Sequence, residues 1–324
     1  MAEKNQSVVT VLVALGANLA VAVLKLIAGL LSGSGALLSE AAHSVGDTST
    51  QILLLTAVRR SERPADRQHP FGYGKERYFW SLLAAFGILV SGAAFSVYQG
   101  VHTIVEDSEP STYAWVNYVV LGIALVLEGT SFLQATRQVR TEADEHDQSV
   151  STQLRGSDDP APRAVFTEDL SAVIGIVLAG AGVALHQLTG SAVWDGVASI
   201  AIGVLLTVVA FLLGQTCKTL LIGRQADPRL VRSVWELLER QPEVDDLVDV
   251  QTMLTGTDRV LLCARVDFVD TYTAGDLEQA CMRIDGELRE RFPDLDEVFI
   301  QPVPRSDPDL RERVLRRYGR VLAD

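Results

Sequence analysis

Six apolar runs constrain this chain more than any other feature. They lie near residues 8–31, 34–58, 78–105, 114–136, 164–186 and 193–222, and each is long enough to cross a bilayer, which takes about 20 helical residues. Within lipid every backbone polar group needs an internal partner, so runs of this length predict helices. The chain is 324 residues long and 48% apolar, and beyond about residue 224 the apolar runs stop. The expected fold is an α-helical membrane protein with six transmembrane helices (residues 1–223), then a cytoplasmic α+β domain (224–305) and a charged tail (306–324). Met1 to Ser7 is too short and polar for a cleaved signal peptide, so the first span is expected to serve as its own insertion signal. Six spans exclude a soluble enzyme, and no nucleophile–base arrangement appears.

The C-terminal part has a readable pattern. "DPRLVRSVWELLERQP" (227–242) puts Leu230, Val234, Leu237 and Leu238 on one helical face. "LVDVQTMLTG" (247–256) and "RVLLCARVDFV" (259–269) read as strands about a "GTD" turn. A second helix (274–292) and a last strand (296–303) follow. The order αββαβ predicts a ferredoxin-like domain, and residues 306–324 a short charged helix or a frayed tail. Cys217, Cys263 and Cys281 have neither metal nor disulfide spacing, which suits a reducing compartment. The net charge of −13 argues against nucleic acid as a partner.

Orientation follows from the loops. Arg59, Arg60, Arg63, Arg67, Lys75 and Arg77 lie between the second and third spans, Arg137 and Arg140 follow the fourth, and Lys218 and Arg224 the sixth. The connections at 32–35, 106–112 and 187–192 are poor in Lys and Arg. The positive-inside bias puts both termini in the cytoplasm. A prokaryotic plasma membrane is the expected location. Lys25 lies near the outer end of the first span, where it is expected to snorkel.

The second span, otherwise suited to lipid, contains "LLSEAAHSVGD" (37–47). An ionisable side chain at membrane depth is costly and marks function. His43 and Asp47, spaced i, i+4, share one helical face, as two ligands of one cation must; Glu40 lies on the same side. Glu128 in the fourth span, Asn18 in the first and Asp47 lie roughly 15 Å from the cytoplasmic surface at 1.5 Å per residue. Glu168 and Asp169 begin the fifth span at a similar or shallower depth. They are about 100° apart around a helix, so Asp169 is favoured as the ligand and Glu168 as a cap or loop contact. An imidazole with two or three carboxylates suits zinc, and also manganese, iron or cobalt. A structural His–Asp hydrogen bond competes with this reading. Asp195, at the outer start of the sixth span, is read as an N-cap. The acidic loop 142–148 is read either as a cation-gathering entrance or as a solvated, disordered connection.

"SGALLSEAAHSVGD", "HPFGYGKER", "EDLSAVIG" and "WDGVASIAIGVLL" together resemble the cation diffusion facilitators. The resemblance implies six membrane helices with a cytoplasmic ferredoxin-like tail, export of zinc or manganese by metal/proton antiport with alternating access, and a homodimer joined through the tail domains. It implies transport ligands at His43, Asp47 and Asp169, with Zn²⁺ and protons as the partners and no resident cofactor. The family's remaining ligand position falls on Val165, which cannot bind metal. This matches a subgroup with Glu-Asp on the fifth helix and leaves Glu168, Glu128, Asn18 or water to complete the site. A loop site would fall on Asp66, His69 and Tyr73, one ligand short. The competing reading is a non-transporting membrane partner or metal sensor.

Overall fold

A computed structural model describes residues 2–106, 114–145, 149 and 159–318. His146 and Asp147 lie outside the described residues, as do the side chains of Glu142, Asp144 and Glu145, loop residues 107–113 and tail residues 319–324. The chain divides into two compact units, residues 1–60 with 77–218 and residues 61–76 with 219–324.

The first unit is helical. It comprises α1 (Ala2–Ser32), α2 (Gly35–Ser61), α3 (Glu76–Gly87), a π-helical stretch (Ile88–Ala94) leading into α4 (Phe95–Glu106), α5 (Ala114–Glu145), α6 (Pro160–Thr189) and α7 (Val193–Ile222). Among the described residues four helices are long and apolar enough to cross a membrane: Glu76–Glu106, Trp115–Thr141, Pro160–Thr189 and Val193–Ile222. Asn18–Ser32 is a shorter apolar stretch. α2 falls short in hydropathy because it buries Glu40, His43, Ser44, Asp47, Thr48 and Thr50. A helix that turns such a face toward its neighbours keeps those groups out of lipid.

Local chemistry sets the helix ends. Gly33, at φ +69°, makes the break between α1 and α2, a conformation that glycine adopts without strain. Asp159 caps α6 by accepting from Ala161 N at 3.0 Å, with Pro160 in the first turn. α4 and α7 approach through small residues: a Cβ at Gly100 would lie 2.6 Å from Gly196 O, and one at Gly203 3.0 Å from Ala93 O. Close backbone approach through glycine is a usual solution where lipid supplies no hydrophobic drive. The π-helical stretch lies against the same helix, Gly92 facing Leu206.

The second unit contains α8 (Pro228–Glu239), β1 (Val244–Gly256), β2 (Arg259–Phe268), α9 (Ala274–Arg291), β3 (Leu295–Pro302) and α10 (Pro308–Tyr318). The sheet order is β1-β2-β3, antiparallel then parallel. The order αββαβ is observed, with three strands where the full ferredoxin-like plan has four. Val260, Leu262, Ala264, Val266 and Phe268 alternate along β2 as its buried side. α8 buries Val234, Leu237 and Leu238, and α9 buries Ala280, Ile284 and Leu288. The hairpin turn places Asp258 at φ +53°, a left-handed conformation that Asp tolerates better than most residues. Within the charged tail, α10 packs Leu310 and Val314 with Val248 and Val303, so this segment is a docked helix.

Candidate functional site

α2 carries one half of the site. His43 and Asp47 are 2% and 8% exposed, and His43 Nδ1 lies 3.5 Å from Asp47 Oδ1, long for a hydrogen bond. His43 Nε2 and Asp47 Oδ1 have no hydrogen-bond partner. Buried polar atoms are nearly always paired, so two unpaired ligating atoms one turn apart require a reason.

The register of α6 decides which side chain faces them. Its buried stripe runs Ala164, Glu168, Ser171, Ala172, Gly175, Ile176 and Ala179, a helical period that places Glu168 inward. Glu168 is buried, makes a side-chain hydrogen-bonding contact with Thr50 of α2, and leaves Oε1 unpaired. The expectation that Glu168 is a cap or loop contact does not hold: Asp159 is the cap, and Glu168 lies inside the helix. Asp169, favoured from the sequence, is half-buried, and its Oδ2 accepts from Ser131 Oγ of α5 at 2.8 Å. Val165 is 39% exposed, away from the buried stripe.

Asp47 lies within electrostatic range of Glu168, Glu128, Lys25 and Glu40. Glu128 on α5 and Asn18 on α1 are half-buried. Among the described residues, no three His, Cys, Asp or Glu side chains converge closely enough to hold a metal ion. A cavity of about 10 Å³, room for roughly one water, touches Glu168 between Thr50, Ser81, Pro160, Ala164 and Cys217.

Two polar contacts differ from their sequence readings. Lys25 does not snorkel. It is fully buried, with Nζ 3.0 Å from Glu40 Oε2 and donating to Ser44 Oγ at 2.8 Å, because α1 turns it toward α2 and away from lipid. One acid and one base in neighbouring apolar runs was the signal for this pair. Asp195 caps α2 and not its own helix: it accepts from Ser34 Oγ at 2.8 Å and from Gly35 N at 2.5 Å. A carboxylate there meets both the unpaired N–H groups and the positive end of the helix dipole.

The loop residues Asp66, His69 and Tyr73 belong to the second unit. Asp66 Oδ1 accepts from Gln68 N at 2.9 Å and His69 N at 2.7 Å, and Oδ2 accepts from Tyr73 OH at 2.7 Å. The Tyr73 hydroxyl, then the His69 backbone N–H, hold the Asp66 carboxyl below its ordinary pKa, and Asp66 in turn raises that of Tyr73. The His69 and Tyr73 rings stack at 4.3 Å. Both carboxylate oxygens are thus engaged in shaping the loop.

A profile of the cation efflux transmembrane domain matches residues 11–222. The chain is 35% identical over 244 residues to the mitochondrial proton-coupled zinc antiporter SLC30A9 of Xenopus laevis, covering 75% of this chain and 44% of that protein. It is 34% identical to the metal tolerance protein C4 of Arabidopsis thaliana, covering 73% and 52%. It is 23% identical to the magnetosome protein MamB of Paramagnetospirillum magneticum, covering 90% and 92%. The matched region spans less than half of the frog antiporter and about half of the plant protein.

Proposed function

The chain belongs to the cation efflux family, the cation diffusion facilitators, and from that premise we propose that it carries a divalent metal ion, zinc first among the candidates, across its membrane in exchange for protons. The observation that carries this reading is the set of unpaired, buried ligating atoms His43 Nε2, Asp47 Oδ1 and Glu168 Oε1 on two helices of a chain rich in membrane-capable spans. An imidazole and two carboxylates suit zinc, and also manganese, iron or cobalt. The zinc antiporter relatives favour zinc. Six spans are part of the proposal, with α1 and α2 joining the four apolar helices.

The mechanism follows from ligand chemistry. Metal ligands bind deprotonated, so loading expels protons. His43, Asp47 and Glu168 start unclosed, and a divalent ion draws α2 and α6 together around itself. When the helices rock to open the other side, protons there compete for the same atoms and release the ion. Protons on the empty site reduce the charge to be moved back. Asp169, held by Ser131, acts on Glu168 as a positioning neighbour, and Glu128 and Asn18 supply polarity from α5 and α1. Zinc flux measured together with lumenal pH in proteoliposomes tests the proposal. Zinc movement that is indifferent to a pH gradient and unaccompanied by proton flux would sink the antiport half.

The homodimer is proposed on a separate feature. The less buried side of the sheet carries Leu261 and Cys263 of β2 and Phe299 of β3, opposite Cys263 and 50% exposed. A second copy would cover this apolar strip. Light scattering of the full chain in detergent tests it, and a monomer at working concentration counts against it.

A further inference from the structure

We propose that Lys25 is a tethered cation that occupies Glu40, keeps that carboxylate out of the transport site, and so sets the negative charge the cargo meets. The inference rests on the site reading above. Glu40, His43, Ser44 and Asp47 lie along one side of α2, all buried. Glu40 Oε2 is held by Lys25 Nζ at 3.0 Å, and the same ammonium donates to Ser44 Oγ, next to His43, at 2.8 Å. Both side chains of the ion pair are completely inaccessible.

Glu40 has unused ligand capacity. Its Oε1 has no hydrogen-bond partner and points at α6, where a Cβ on Gly175 would collide with it. The absence of a side chain at Gly175 makes room for a carboxylate aimed across the helix pair, on the same helix face as the His43–Asp47 pair and toward the helix that carries Glu168. Left unpaired, Glu40 would be a further acid ligand for a divalent ion.

Charge counting gives the consequence. With Lys25 and Glu40 neutralising each other, Asp47 and Glu168 present two negative charges to a doubly charged ion. With Lys25 gone, a third carboxylate joins, and the loaded site keeps a net negative charge. Interactions between charges this deep are barely screened by salt. The added attraction favours binding and opposes release. Lys25 thereby trades affinity for turnover.

The test is a double-mutant cycle on the full chain, with zinc alone as the probe in equilibrium binding and in proteoliposome transport. Lys25→Met is expected to bind zinc more tightly by about tenfold or more, with KM and kcat falling together. Glu40→Gln frees the ammonium toward the site and is expected to weaken binding to a similar extent. Lys25→Met/Glu40→Gln returns both quantities toward the parent, and Lys25→Arg stays near it. Looser or unchanged binding in Lys25→Met, or a double variant no different from the single ones, overturns the proposal. If Lys25→Met does not fold, the step from Glu40→Gln to the double variant decides: restored affinity supports the proposal and no restoration overturns it. Asp47→Ala separates the two levels. Wild-type zinc binding there sinks the site reading, whereas loss of binding there with a flat cycle sinks this inference alone.

Discussion

Ser131 Oγ donates a 2.8 Å hydrogen bond to Asp169 Oδ2, tying Asp169 to α5, while the preceding residue, Glu168, turns into the interior with an unpaired oxygen. Adjacent acids on one helix point about 100° apart, and here their surroundings differ to match. Glu168→Gln should abolish zinc flux if, as proposed, Glu168 is a ligand. Asp169→Asn should lower it by about tenfold, the range usual for groups that orient a ligand. Radiozinc uptake into proteoliposomes compares them, and a reversed ranking would exchange their roles.

Val165→His should leave metal selectivity unchanged. The position is 39% exposed and stands off the buried stripe of α6, so an imidazole there gains no view of the ion. Transport of zinc against manganese, cobalt and cadmium checks this, and a clear gain in zinc preference would place position 165 at the site.

Asp195→Ala should destabilise the helical unit. It strips acceptors from the Ser34 hydroxyl and the Gly35 and Ala36 N–H groups, and each buried donor left unpaired costs about 1–3 kcal/mol. Thermal unfolding in detergent should show a lowered midpoint, and an unchanged midpoint would remove the capping role.

Asp66 gives a pH-dependent signature outside the membrane. Its folded pKa is depressed, chiefly by Tyr73, so its contribution is present above the ordinary carboxylate pKa and lost as pH falls through the lower folded value. Tyr73→Phe should raise the Asp66 pKa toward the ordinary value, read by carboxyl NMR. His69→Ala should leave zinc affinity unchanged, since both Asp66 oxygens already accept hydrogen bonds.

Gly74→Ala should destabilise the second unit by about 1–3 kcal/mol, the usual cost of overpacking. A Cβ there would lie 2.5 Å from Thr255 O and 2.8 Å from Gly256 Cα, both backbone atoms that cannot rotate away. Denaturant unfolding of the full chain followed by tail fluorescence measures it.

The helices and the αββαβ order were legible because apolar runs and periodicity are local: Val234, Leu237 and Leu238 mark the buried face of α8 without tertiary information. The His43–Asp47 pair was legible because i, i+4 spacing fixes a shared face. Which of Glu168 and Asp169 turns into the interior was not, since the rotation of α6 depends on what packs against it. Lys25 illustrates the same limit. Depth along a helix can be read from sequence, but whether a lysine faces lipid or a neighbouring acid is set by helix packing. Asp195 likewise caps a helix 160 residues away from it in sequence, a contact that no local pattern signals.

The most direct test of the central claim is zinc-driven proton flux in sealed proteoliposomes, with parent, Asp47→Ala and Glu168→Ala run side by side. The account predicts that zinc added outside the parent vesicles moves inward while protons move outward, and that both fluxes vanish in each variant. Parent-like fluxes in Asp47→Ala and Glu168→Ala would contradict it.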